Sequence, residues 1–276
     1  MIQNMEPKVI FEDSEMLVLD KPSAMIVNRS DTTVGEKTVQ EWVETKFKIQ
    51  NSKFKINEES EFHKRAGIAH RLDKETSGIL LVAKTPEAFI NLQKQFKERQ
   101  VKKTYIALAH GKVVPAKGEI KVPVGRLPWN RKRFGVIAEG REAVTKYRLL
   151  SVFGSQLSET GLSVNRLIRQ TEKPKDQNLK TDNRKLITEY YSLIELYPET
   201  GRTHQIRVHL KYIGHPIFAD PLYAGRKTAR NDRKLLPRIF LHAAKISFYH
   251  PKSNKMVQFE SKLPEELEQF LKKLNS

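Results

Sequence analysis

The sequence has 276 residues, of which 38% are hydrophobic, and this is enough to bury a substantial core without metals or disulfides. Its 50 lysines and arginines exceed its 32 acids, and the formal charge of +18 favours RNA or DNA as a partner, although a basic enzyme with merely solvating lysines would look the same. The absence of cysteine excludes disulfide frameworks, zinc ribbons and thiol catalysis.

The N-terminal part is predicted to enter the fold directly. Residues 8 to 11 and 16 to 20 read as a hairpin of strands, and apolar residues between Glu36 and Ile49 recur at helical spacing. The polar residues 51 to 61 then indicate an exposed connection. There is no signal-peptide pattern, and no apolar run approaches the roughly 18 residues of a membrane span, so we expect a cytoplasmic protein without membrane contact.

In the middle of the chain the pattern predicts a strand, a helix and then more strands. Residues 78 to 84, GILLVAK, are apolar enough for a strand buried on both faces, and Thr85 followed by Pro86 marks the start of a helix. The polar residues 154 to 187 are predicted to be an insertion, mobile or forming a small arm. Antiparallel strands are expected between these features at residues 101 to 113, 118 to 126 and 142 to 153.

The last third mixes strands and helices in the same way. A helix over residues 200 to 214 is predicted to end at Gly214. Strands are expected at residues 187 to 197, 238 to 251 and 255 to 261, and a final helix at 264 to 275. The sequence therefore predicts an α+β fold in one domain with two lobes.

The stretch GIAHRLDKETSGILLVAK, residues 67 to 84, places charged and hydroxyl side chains between two apolar runs. If its first half is extended, alternation puts Arg71 and Asp73 on the same face. Two interpretations follow. The pair either belongs to a functional loop on a rigid scaffold, or it is an exposed ion pair worth about 0 to 1 kcal/mol.

The stretch GRTHQIRVHL concentrates polar side chains at the start of a predicted helix. Arg207 lies between Ile206 and Val208, close to the buried boundary, where a cation needs an anionic partner such as Asp73 unless it reaches solvent instead. His204 and His209 are five residues apart, which does not suit a pair of metal ligands on one helix face, so we infer no metal site.

Two further stretches carry aromatic residues. Tyr105 in KKTYIALAHG would, on its own, read as a core residue. The stretch GRLPWNRKRFGV, residues 125 to 136, combines basic charge with aromatic rings, which suits phosphate contact and base stacking but also an ordinary basic hairpin.

Taken together and in this order, the motifs HRLDKETSG, KKTYIAL, TGRTHQIRVHL and FLHA resemble the RluA family of pseudouridine synthases. The resemblance covers about Lys8 to Pro251, apart from the insertion at 154 to 187. It implies a single catalytic domain over residues 1 to 276, with a central, mixed and mostly antiparallel sheet, flanking helices and two lobes around a basic cleft. It also implies isomerisation of specific uridines in ribosomal or transfer RNA, with no cofactor and no metal.

The resemblance also implies roles for individual residues. Asp73 would be the catalytic aspartate, with Arg207 as the partner that keeps it ionised and Tyr105 as the ring that stacks on the target base. Leu241 would pack near that base, and Arg71 would fill the place of the extruded uridine. The residues then expected to contact RNA are Arg71, His70, Thr76, Arg126, Arg131, Lys132, Arg133, Arg202, His204 and Leu241.

Three features bear on how far the resemblance carries. Ala219 stands where the family usually has glycine, and Ala224 is an extra residue in the same segment, which puts the local loop geometry in doubt. Many relatives carry an S4 domain ahead of the catalytic part, and this chain is expected to act without one, as a monomer with no obligate protein partner. A non-catalytic RNA-binding protein of the same fold and an RNA base glycosylase remain open as alternatives.

Overall fold

The computed structural model describes residues 6–29, 35–47, 60–158, 161–167 and 187–275. The helices are α1 (Val39–Phe47), α2 (Glu61–Lys64), α3 (Pro86–Lys97), α4 (Gln205–Tyr212), α5 (Arg226–Leu235) and α6 (Glu265–Asn275). The strands are β1 (Lys8–Glu12), β2 (Met16–Lys21), β3 (Ser77–Ala83), β4 (Lys102–His110), β5 (Lys117–Lys121), β6 (Val124–Leu127), β7 (Asn130–Val136), β8 (Val144–Ser158), β9 (Gly161–Leu167), β10 (Ile187–Pro198), β11 (Leu241–Tyr249) and β12 (Met256–Glu260).

Ten of these strands form one sheet in the order β1-β2-β3-β11-β4-β10-β8-β5, with β12 paired to β11 and β9 paired to β8. The contact between β3 and β11 is parallel and the other pairings in this sheet are antiparallel. Strands β6 and β7 form a separate hairpin. The predicted α+β class with a mixed, mostly antiparallel sheet is confirmed.

Most predicted elements are present, and the exceptions have local causes. The extended stretch predicted before Asp73 is irregular and contributes only an isolated bridge between Ile68 and Val82. The strand predicted over residues 118 to 126 is divided into β5 and β6 around Pro123, which lacks the amide hydrogen that a ladder needs. Helix α4 begins only at Gln205, because His204 adopts a left-handed conformation with a φ of 56°.

The predicted insertion at 154 to 187 is only partly within the described residues. Strand β8 continues through its first residues to Ser158, β9 returns from Gly161 to Leu167, and β10 begins at Ile187. Residues 159–160 and 168–186 lie outside the described part of the chain. The proposal that the segment forms a small arm therefore stays a prediction.

The buried residues form several clusters, and the two clusters next to Asp73 meet in the middle of the sheet. One cluster joins β2, β3, α1, α3 and part of β11, and a second joins β4, β10, α4 and the start of β11. Tyr105 on β4 packs against both clusters. Among the described residues, no helix is both long enough and apolar enough to cross a membrane.

Gly78 is where β3 approaches β11 most closely. Its φ is +110°, and a Cβ at this position would lie 2.2 Å from the carbonyl oxygen of Ala243. Glycine is the residue that tolerates both conditions, since it has no Cβ and adopts positive φ freely. This explains on structural grounds why the motif HRLDKETSG ends in glycine.

We expect Gly78→Ala to lower the free energy of unfolding by about 3 kcal/mol or more, because the new methyl group meets backbone that cannot move away. Gly214→Ala is the matched control: its φ is +85° but no atom lies within 4 Å of the added Cβ. Its free energy of unfolding should fall by only about 1 to 2 kcal/mol, which is the cost of placing alanine in a left-handed conformation. Urea unfolding measures both, and equal losses would contradict the close-approach argument.

Candidate active site

The loop that carries Asp73 connects the Ile68 bridge to β3, and its backbone is held from several sides. The carbonyl oxygen of Asp73 accepts from the amide of Thr76 at 3.1 Å. The next carbonyl, of Lys74, accepts from Lys21 Nζ at 3.1 Å, and that of Glu75 accepts from Ser23 Oγ at 2.8 Å. Three consecutive carbonyls thus have donors, so the loop is a fixed platform and not a solvated turn.

Lys21 at the end of β2 is fully buried beneath this loop. Besides the Lys74 carbonyl, its Nζ donates to the carbonyls of Pro22 and Met25, both at 2.8 Å. These three acceptors match the three donors of an ammonium group. Burial, together with the charge of Arg238, lowers the pKa of Lys21 to about 7. Sequence reasoning missed this residue, since a lysine before a proline at a strand end looks exposed.

Arg207 on α4 is bound by two carboxylates at once. Its Nε and Nη2 donate to Asp220 at 2.8 and 2.9 Å, and its Nη1 donates to Asp73 Oδ2 at 3.1 Å. Burial disfavours the charged guanidinium, but the hydrogen bonds and charge of Asp220 and the charge of Asp73 outweigh it and raise the pKa of Arg207. The predicted approach of Arg207 to Asp73 is therefore present, and the alternative in which Arg207 reaches solvent is wrong.

Asp220 is a site residue that sequence reasoning missed. Its side chain is completely buried, and beyond Arg207 it accepts from the amides of Leu222 and Tyr223 at 2.9 and 3.1 Å. The preceding Ala219 has a φ of +61°, the conformation that favours glycine. The departure at Ala219 marks this segment in the sequence but does not indicate that the next residue is a buried acid.

His204 and Tyr223 complete the surroundings of Asp73. The Tyr223 hydroxyl lies 2.9 Å from His204 Nδ1 and also accepts from the amide of Phe134 at 3.2 Å. His204 Nε2 faces Asp73 Oδ2 at 3.9 Å, and burial lowers the pKa of His204. The Arg207 guanidinium lies 5.0 Å from the centre of the Tyr223 ring. A neutral imidazole here can direct one N–H toward the aspartate.

Asp73 opens onto a cleft of about 640 Å³. Tyr105 and Leu241 line it beside Asp73, and Arg71 and Arg202 lie on its wall. Burial and the charge of Asp73 raise the pKa of Tyr105, so its hydroxyl stays protonated. Eight lining residues are lysine or arginine and two are acidic, so the cleft attracts an anionic ligand. The cations not predicted from the motifs are Arg65, Lys97, Arg99, Lys103 and Arg141.

Two residues expected to contact RNA also have structural partners within the protein. His70 accepts from the amide of Leu81 through Nε2 at 3.1 Å, and burial lowers its pKa to about 3, so it is a neutral support for β3. Thr76 is only 2% exposed, and its amide holds the Asp73 carbonyl. Both residues also line the cleft, so their contact with RNA stays a prediction.

The basic residues predicted on the hairpin lie on β6 and β7, outside the cleft lining. Arg126, Arg131 and Arg133 are exposed, and Arg126 lies 5.1 Å from the centre of the Phe134 ring. Lys132 is outside the residues whose side chains are described. Because Phe134 also touches His204 and bonds to Tyr223, the hairpin is connected to the Asp73 site.

The chain matches the model of the RNA pseudouridylate synthase family over residues 15–212 and belongs to that family. It is 38% identical to an uncharacterized RNA pseudouridine synthase of Chloroflexus aurantiacus, over 76% of this chain and 54% of that protein. It is 33% identical to ribosomal large subunit pseudouridine synthase D of Nitrosomonas europaea, over 98% of this chain and 65% of that protein. The chain thus spans less than two thirds of the length of these two relatives.

Solved structures agree on the fold. The human RNA pseudouridylate synthase domain containing 1 superposes with a TM-score of 0.62 at 22% identity, covering 98% of this chain and 95% of that chain. The human domain containing 4 gives the same TM-score at 21% identity. The family resemblance and the fold that it implied are confirmed.

We expect Asp220→Asn to lower the free energy of unfolding by about 3 kcal/mol or more, because it leaves the buried Arg207 with a neutral partner. Asp73→Asn has the same shape change but should cost about 1 kcal/mol or less, since Arg207 keeps its two bonds to Asp220. Chemical denaturation of both variants checks the difference. If Asp73→Asn were the more damaging, Asp220 would not be the anchor of Arg207.

Proposed function

We propose that this protein is an RNA pseudouridine synthase. The observation that carries the proposal is the carboxylate of Asp73, held 3.1 Å from Arg207 at the wall of a cationic cleft, in a chain of the RNA pseudouridylate synthase family. In the reaction, the bond between N1 of uracil and C1′ of ribose breaks and a bond between C5 and C1′ forms. C5 loses its proton and N1 gains one, so substrate and product are isomers.

Asp73 is proposed as the catalytic residue because the reaction must break a glycosidic bond, and a carboxylate can assist this as nucleophile or base. One carboxylate suffices in this proposal, since the base stays in the site and no water has to be activated. Arg207 engages Oδ2 and leaves Oδ1 without a hydrogen bond among the described residues, so that oxygen is available to the substrate. The position of the Arg207 guanidinium is fixed, because two of its nitrogens donate to Asp220. The pair is therefore preorganised before RNA binds.

Tyr105, Leu241 and Arg71 are proposed to receive the target nucleotide. Tyr105 keeps its proton, so it can act as a neutral stacking surface for uracil while Leu241 packs against the base. Arg71 is exposed at the cleft, where its planar guanidinium can stack in the place of an extruded base. The reaction involves no net oxidation and no external energy, and we therefore propose no cofactor.

The proposed substrate is ribosomal RNA of the large subunit, since relatives that cover almost the whole chain carry that name, with transfer RNA as the other class. The exposed Arg126, Arg131, Arg133 and the half-buried Arg202 are proposed to contact its phosphates, together with the further cations of the cleft. Action as a monomer in the cytoplasm is part of the same proposal.

We expect Asp73→Asn to abolish product formation while RNA binding and the unfolding midpoint stay close to those of the parent protein. The product has the mass of uridine, so the measurement is the release of tritium from RNA labelled at C5 of uridine. Glu268→Gln, which removes an exposed carboxylate on α6, is the control and should keep full release.

Three outcomes separate the proposals. Undiminished tritium release by Asp73→Asn would show that another group performs the chemistry. Abasic RNA in place of pseudouridine would identify a base glycosylase. Tight RNA binding by the parent protein, with no product on total RNA from cells that lack the gene, would identify a non-catalytic RNA-binding protein.

A further inference from the structure

Helix α5 presents a basic face that the catalytic cleft does not include. Arg226, Lys227, Arg230 and Lys234 are all exposed, and none of them lines the cleft. At 3.6 residues per turn these four side chains fall within an arc of about 100° on the helix surface. The only acid of α5, Asp232, is buried on the other side of the helix.

This arrangement is unfavourable for the free protein. Arg226, Arg230 and Lys234 are spaced at i, i+4 and i+8, where like charges destabilise a helix. Arg226 and Lys227 lie in the first turn, where the helix dipole disfavours cations, and Gly225 supplies no side-chain cap. Within the described part of the chain, none of the four cations forms a salt bridge with an acid.

Asp232, on the opposite face of α5, and Arg233, at the edge of the basic face, hold the helix against the active site. Asp232 accepts from the amide of Ala219 at 2.9 Å and contacts His110 Nε2 at 2.8 Å. Arg233 donates to the carbonyl of Ala219 at 3.1 Å and pairs with Glu75 of the Asp73 loop. The position of the basic face is thus tied to both segments that carry the Arg207 partners.

We propose that the exposed face of α5 is a second RNA-docking surface, which binds phosphates of the RNA backbone away from the target nucleotide. The inference rests on the proposed function, because it takes the anionic ligand to be the RNA substrate. A polyanion would relieve the repulsion among these cations and their unfavourable position at the helix start. Water alone would relieve neither the repulsion among the cations nor their unfavourable position at the helix start.

The test compares two triple variants that remove the same charge. The first is Arg226→Gln, Arg230→Gln and Lys234→Gln. The control removes three exposed lysines scattered over the surface, Lys255→Gln, Lys262→Gln and Lys272→Gln. Affinity is measured against salt for a transcript of large-subunit ribosomal RNA and for a uridine-containing single strand of about ten nucleotides, which is the size of a single-strand binding site.

For the α5 variant we expect affinity for the transcript to fall about tenfold or more, and the slope of log affinity against log salt to decrease by about 2 to 3. The short strand should lose much less, and the scattered control should change little with either RNA. The α5 variant should also unfold at the same or a higher urea concentration, because it has lost like-charge repulsion. Weaker binding by a protein that is no less stable is the signature of this surface.

Equal losses in the two triple variants would overturn the proposal, since net charge would then be the cause. An equal loss on the short strand and the transcript would also overturn it, because α5 would then belong to the cleft. Should the triple variant fold poorly, Arg226→Gln alone gives the same comparison against Lys255→Gln. Tritium release is scored separately: a parent protein without activity, combined with the α5-specific loss, would refute the proposed function and support the surface.

Discussion

The site depends on one buried cation shared by two acids. Arg207 donates to Asp220 through Nε and Nη2 and to Asp73 through Nη1. The two bonds to the buried Asp220 therefore fix the orientation of the guanidinium, and Nη1 is left to bind Asp73 beside the cleft. Removing one partner of a buried ion pair typically lowers the free energy of unfolding by about 3 to 5 kcal/mol, because the remaining charge is buried without compensation. The stabilising contact with Asp220 is thus also what positions Asp73, and fold and site share one interaction.

The sheet explains how distant motifs reach this cation. Strand β11 lies between β3 and β4, so the loop before β3, Leu241 at the start of β11 and Tyr105 on β4 come from three adjacent strands. The parallel contact of β11 with β3 brings His242 beside Ser77 and Ala243 beside Gly78. The backbones of Gly78 and Ala243 are so close that no Cβ fits between them. This close packing fixes the end of the Asp73 loop against β11, beside the cleft.

Features with a local signal could be predicted, and features that depend on burial could not. Helix α3 follows from Thr85 and Pro86. The apolar neighbours of Arg207 indicate that it needs an anionic partner, and the family resemblance implies that this partner is Asp73. Asp220 and Lys21 lack such a signal, because only the folded chain shows that these charges are inside. The sequence does not indicate helix α5, because only Ala229 and Leu235 among its residues are apolar. Tertiary contacts through Asp232 and Arg233 stabilise it.

The charges of this protein therefore act in two separate ways. Around Arg207 opposite charges are matched and desolvated, so their interaction is strong and little affected by salt. In the cleft and on α5 most cations face water with few acids nearby, so their attraction for a polyanion is long-ranged and is screened by salt. For the proposed RNA substrate, dissolved salt would weaken binding to these exposed cations while leaving the geometry of Asp73 intact. Phosphates along the RNA would then contribute binding without sequence preference, and only a uridine that enters the cleft would meet the fixed carboxylate.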